Sequence, residues 1–209
     1  MIAQTERLEL AGPAGRIQLL RNAPESASRG IVVIAHPHPL FGGTMDNKVV
    51  QTLARAFVQC GWTALRFNFR GVGASQGSYD EGRGEAQDLL AVVRELAPEG
   101  PLALAGFSFG AYVSAQALQP LWGTRDLRAI VLVGTAASRF PVPALPADAH
   151  ERTLVVHGEV DETVALSSVF DWARPQSLPV TVVPGVEHFF HGQLPLLKNL
   201  VVRHLRALE

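Results

Sequence analysis

The chain has 209 residues, of which 47% are hydrophobic and 18% charged, with a formal net charge of -1 at pH 7. That much apolar material excludes a disordered chain and suffices for one core, so residues 1–209 are expected to form a single domain. The near-neutral balance and the lack of a basic run exclude the usual footprint of a nucleic-acid binder, and the lone Cys60 excludes an intrachain disulfide or a multi-cysteine metal motif and suits a reducing cytoplasm.

Glu6 and Arg7 interrupt the N-terminal stretch, and no run of eighteen apolar residues occurs anywhere, so neither a signal peptide nor a membrane span is expected. "ERLEL" and "GRIQLLRN", joined through Gly12-Pro13, predict a hairpin. "GIVVIAHPHP" contains a continuous β-branched run, the mark of a strand covered on both faces, followed by a proline-punctuated loop. Asp46 is placed to cap a helix through "NKVVQTLARAFVQCG", whose apolar face carries Val50, Leu53, Ala54 and Phe57 and which Gly61 stops.

The alternation continues with a strand "WTALRFNF", a glycine-rich loop "RGVGASQGSYDEGRG" and a helix "EAQDLLAVVRELA", on which Glu85 and Asp88 are expected to be solvated. "LALAGF", "AIVLVGT", "TLVVHG" and "VTVVPG" complete a set of eight strands, and a helix from about Pro195 closes the chain. The fold class is therefore α/β: a mostly parallel, about eight-stranded sheet with helices on both faces and an antiparallel N-terminal hairpin. Between the sixth and seventh strands, "AASRFPVPALPADAHE" holds three prolines and reads as a loop too short for a cap domain.

Ser108 sits at the carboxyl end of "LALAGF", the edge where open parallel sheets gather their chemistry. Gly106-Phe107-Ser108-Phe109-Gly110 is Gly-x-Ser-x-Gly, in which a nucleophile occupies a sharp strand-to-helix turn and flanking glycines relieve crowding. A serine needs a histidine to take its proton and a carboxylate to hold that histidine. Glu159, Asp161 and Glu162 follow the seventh strand and His188 the eighth, giving the order Ser, acid, base that this motif requires.

With "AHPHPLFGGTMDNKVV", "NFRGVGASQGSYDEGRGE" and "GFSFGAY", the sequence resembles the α/β-hydrolase superfamily, in particular small uncapped bacterial serine esterases related to dienelactone-hydrolase-like members. The resemblance spans nearly the whole chain. It implies Ser108 as nucleophile, His188 as base and Asp161, within His157-Gly-x-x-Asp-x-x-Val164, as the orienting acid. A dienelactone hydrolase would carry cysteine at 108, so that activity is not implied. The oxyanion would be met by the backbone N–H of Phe109 and, because Pro37 and Pro39 have none, by that of His38, with Leu40 in reserve.

Leu40, Phe41, Phe109, Phe140, Phe189 and Phe190 are candidates for the substrate pocket. Arg70 is assigned to bracing the oxyanion loop, with contact to an anionic substrate as the alternative, His157 to structural packing, and His150 and His204 to the surface; His191, three residues past His188, competes for the role of base. His36-x-His38 has no third ligand at a matching spacing, so no metal and no cofactor is expected. The expected partner is a small-molecule acyl ester or thioester, cleaved through an acyl-enzyme; a ligand-binding homologue without catalysis is the alternative.

Overall fold

The computed structural model describes residues 4–209, and its sheet has eight strands in the order β1-β2-β4-β3-β5-β6-β7-β8. β1 (Gln4–Gly12) and β2 (Gly15–Ala23) form the expected hairpin, with Gly12 opposite Gly15 across the Pro13-Ala14 turn. β2 then pairs antiparallel with β4 (Thr63–Phe67). From β4 through β3 (Ile31–Ala35), β5 (Leu102–Phe107), β6 (Leu127–Val133), β7 (Thr153–Gly158) and β8 (Val180–Val183), every pairing is parallel.

Alternation along β5 explains the two-sided core. Leu102 and Leu104 join a cluster with α2 (Arg83–Leu96), α3 (Phe109–Leu121) and α4 (Leu166–Ala173), whereas Ala103, Ala105 and Phe107 join the opposite cluster with α1 (Lys48–Gln59) and α5 (Leu194–Ala207). Both faces of the central strands are thereby covered, as their unbroken apolar runs require.

From β3 the chain crosses by α1 to β4 on one side, and then by α2 to β5 on the other side of β3. The strand order therefore reverses between β3 and β5, which opens a crevice beyond their carboxyl ends. Between β6 and β7 there is no α-helix, only the proline-rich loop and a short 3-10 segment at Ala147–Arg152. No helix among the described residues is long and apolar enough to cross a membrane.

Four local expectations are corrected. Helix α1 is capped by Asn47, not Asp46: Asn47 has the extended backbone a cap requires and its Oδ1 accepts the N–H of Val49 at 2.8 Å, while the Asp46 carboxylate lies 3.2 Å from Arg66 Nη1. Gly61 does supply the stop, at φ 81°.

Glu85 and Asp88 are 0% and 1% exposed rather than solvated. Glu85 accepts the N–H groups of Asp80 and Gly82 at the start of α2. Asp88 accepts three hydrogen bonds from Arg70, through its backbone N–H, Nε and Nη2 at 3.2, 3.0 and 2.8 Å. Arg70 is thus committed to tying the glycine-rich loop to α2 and does not brace the oxyanion loop.

His150 and His204 are half-buried rather than solvated. His204 Nε2 lies 3.2 Å from the carbonyl of Arg152, and Nε2 of His150 is buried with no partner.

Candidate active site

Residue 108 is the hinge between β5 and α3, and its backbone stands at φ 57°, ψ -116°. This is a costly conformation for a residue with a side chain, and it turns Oγ out beyond the sheet edge. The flanking glycines are sterically required. A Cβ at Gly106 would strike the carbonyl of Gly110, and one at Gly110 would strike the carbonyls of Ala35 and His36 at the end of β3. The crowding therefore involves β3 as well as the two glycines themselves.

The loops after β7 and β8 bring the other groups in. Ser108 Oγ is 3.0 Å from His188 Nε2, and His188 Nδ1 is 2.6 Å from Asp161 Oδ2. All three are nearly buried. The His188 ring lies against Phe107 and Phe189, at centroid distances of 4.9 and 5.1 Å, which fixes its plane.

Asp161 Oδ1 accepts the N–H groups of Thr163 and Val164 at 2.9 and 2.7 Å. Burial alone would raise its pKa, but the hydrogen bonds from His188 and Val164 and the neighbouring histidines outweigh it and hold the carboxyl below its ordinary value. Asp161 is therefore an anion at neutral pH, and it favours the His188 tautomer with the proton on Nδ1, leaving Nε2 to accept from Ser108.

His157 is fully buried, as its structural assignment anticipates. Its Nε2 is 2.9 Å from the carbonyl of Val164 and 3.4 Å from Asp161 Oδ2. His191 is exposed beside Glu187 and takes no part in the Ser108 contact.

The loop after β3 forms the opposite wall. His36 Nε2 accepts the N–H of Phe69 at 3.0 Å, and Nδ1 lies 2.6 Å from the carbonyl of Pro37. Both ring nitrogens are therefore engaged and unavailable to a metal. Burial, only partly offset by the Pro37 bond, pushes the His36 pKa down to about 4. The bracing expected of Arg70 is supplied by this neutral imidazole, which clamps the loop after β3 to the segment following β4.

His38 and Phe109 offer N–H groups with no acceptor among the described residues, and both residues line the crevice with Ser108. The N–H of Leu40 is taken by His38 Nδ1 at 3.2 Å, so the reserve donor is occupied.

A cavity of about 350 Å³ opens over Ser108, and Phe41, Phe109, Phe140 and Phe189 are in its wall. Leu40 is exposed but outside the wall, and Phe190 belongs to the core. Three polar members of the wall were not anticipated from the sequence: Asn47, Arg139 and Thr163. Arg139 carried a usable signal, because it follows the carboxyl end of β6 at the same sheet edge as Ser108.

Residues 26–146 match the Hydrolase_4 family, described as serine aminopeptidase, S33. An uncharacterized protein of Rickettsia prowazekii, RP471, is 33% identical over 190 residues, covering 86% of this chain and 79% of the relative. XC6422 from Xanthomonas campestris, an α/β serine hydrolase without a lid, is similar at a TM-score of 0.87 and 36% identity, with 99% of this chain and 96% of that one covered. An α/β serine hydrolase homologue from Coxiella burnetii is similar at 0.85 and 39%, with 96% and 97% covered. Sheet order, the Ser108 turn and these relationships agree: the chain belongs to the lidless α/β serine hydrolases of the α/β-hydrolase superfamily.

Proposed function

We propose that this protein is a carboxylesterase that cleaves esters of short-to-medium acyl chains through Ser108, His188 and Asp161. The observation that carries the reading is the unbroken relay of hydrogen bonds, 3.0 Å from Ser108 to His188 and 2.6 Å from His188 to Asp161, at the floor of a cavity partly walled by aromatic side chains. Ser108 Oγ attacks the acyl carbon while His188 Nε2 takes its proton. Asp161 stabilises the imidazolium, and the N–H groups of His38 and Phe109 receive the oxyanion. His188 then protonates the departing alkoxide, and a water that it activates in turn releases the acid from the acyl-enzyme.

The composition of the wall favours an ester over the amino terminus of a peptide. A substrate ammonium needs an anionic partner once it leaves water, and none of the residues lining the cavity is a carboxylate. The lack of a cap helix between β6 and β7 suits small acyl groups reached directly from solvent. The buried, unpaired Cys60 is in keeping with action in a reducing cytoplasm.

The test is intact-mass spectrometry after treatment with a fluorophosphonate, which reports an activated serine without presupposing a substrate. A single adduct on the wild type and none on Ser108→Ala supports the assignment. Folded wild-type protein that takes no adduct refutes it and points to a ligand-binding role.

A further inference from the structure

We propose that Arg139 is a specificity-determining residue that selects ester substrates carrying a carboxylate remote from the scissile bond. The proposal rests on the ester-hydrolase reading of Ser108 and adds to it the chemical class of the substrate.

Arg139 lies in the loop after β6, exposed at the mouth of the cavity over Ser108. Its Cζ stands 6.0 Å from the centroid of the Phe41 ring, so the guanidinium reaches toward the loop that follows β3. The aromatic face restrains the side chain while leaving its N–H edge open. Among the described residues Arg139 has no ion-pair partner and its side chain makes no hydrogen bond, in contrast to Arg66 and Arg70, which are engaged by Asp46 and Asp88.

The surroundings leave this cation uncompensated. Of the groups that could neutralise it, Asp161 lies behind His188, and Asp46, in the adjoining groove, faces Arg66. Glu187 accepts the N–H groups of Phe189 and His191. His38, in the same wall, is held below its ordinary pKa by burial and by the charge of Arg139, so it adds no second cation at neutral pH.

The remaining polar wall groups are donors too. Asn47 spends its Oδ1 on the N–H of Val49, which leaves its amide NH2 free to donate, and Thr163 offers a hydroxyl. A planar guanidinium with donor companions and no acid nearby matches a carboxylate, which it can grip through two parallel N–H···O bonds.

Two matched pairs of esters test the proposal: 4-nitrophenyl hemiglutarate against 4-nitrophenyl butyrate, and 4-acetoxybenzoate against 4-acetoxybenzamide. The first places the carboxylate on the acyl side and the second on the alcohol side. In at least one pair the wild type is expected to favour the anion in kcat/KM, and Arg139→Gln to lower that ratio about tenfold, with Arg139→Lys falling between. Raising the ionic strength should erode the wild-type preference.

Calorimetric binding of the same esters to Ser108→Ala, with and without Arg139→Gln, reads the discrimination without turnover. Esters hydrolysed by Ser108 with ratios that Arg139→Gln leaves unchanged would overturn the role of Arg139 and leave the esterase reading standing. Anion-selective binding that depends on Arg139, in a protein that hydrolyses none of the esters, would do the reverse.

Discussion

His157 Nε2 lies 3.4 Å from Asp161 Oδ2, the same oxygen that receives His188 from the other side. Asp161 is therefore flanked by two imidazoles, one facing the serine and one sealed in the core. His157→Phe removes the ring nitrogen that meets the Val164 carbonyl and lies close to Asp161, and should lower kcat about tenfold with KM little changed, since a displaced acid misorients the base. His157→Gln, which can still donate, should recover most of the loss; equal kcat in the two variants would deny His157 a positioning role.

Ser108 makes opposite demands on stability and chemistry. Replacing it with alanine should reduce turnover by roughly 10⁶-fold, because members of such a triad act as a unit. Glycine at the same position should be equally inactive but more stable than alanine, by about 1 kcal/mol, since only glycine accepts φ 57° freely. Thermal unfolding of the two variants side by side reads the difference.

Acid should destabilise the fold through its buried histidines. The folded pKa of His36 is about 4 against an ordinary 6.5, so the unfolded chain binds the proton first as pH falls. Stability is then complete above about pH 6.5 and declines toward pH 4, where His36 accounts for about 3 kcal/mol. Burial holds His157 and His204 low as well, which adds to the same slope. Urea titrations at pH 7 and pH 4.5 should show a smaller difference for His36→Gln than for the wild type.

Breaking the tie between Arg70 and Asp88 should cost stability rather than chemistry. Asp88→Asn leaves a largely buried guanidinium without its counter-charge, and a loss of about 3 kcal/mol is expected in chemical denaturation. Ester turnover per folded molecule should be retained, as neither residue lines the cavity.

The contrast between Asp161 and Asp88 shows what the sequence could and could not reveal. Asp161 and His188 each sit just beyond a strand whose apolar run is plain, and Ser108 is fenced by glycines, so local pattern points to the right loops, and the family resemblance singles out Asp161 from Glu159 and Glu162 beside it. The same local logic assigns Asp88 to solvent, because the Arg70 that buries it lies eighteen residues back and only the packing of the loop against α2 joins them. Asp46 and Asn47 are both able to cap, and the choice between them was settled by Arg66, a residue on a neighbouring strand. Arg139 was legible in part: its place after the carboxyl end of β6 marks the right sheet edge, but its loop has no periodicity to say which side chains turn toward Ser108.

The serine and its two partners also differ in when the chain can deliver them. β5 is in register with β3 and β6 once the first 133 residues are paired, so the turn at Ser108 can form on a partly synthesised chain. His188 lies 80 residues beyond Ser108 and is held past β8, an edge strand that among the described residues pairs with β7 alone. A nascent chain thus carries a strained but unassisted serine until the last edge of the sheet is laid down. In the esterase reading, hydrolytic activity would report that synthesis and folding have reached that far edge.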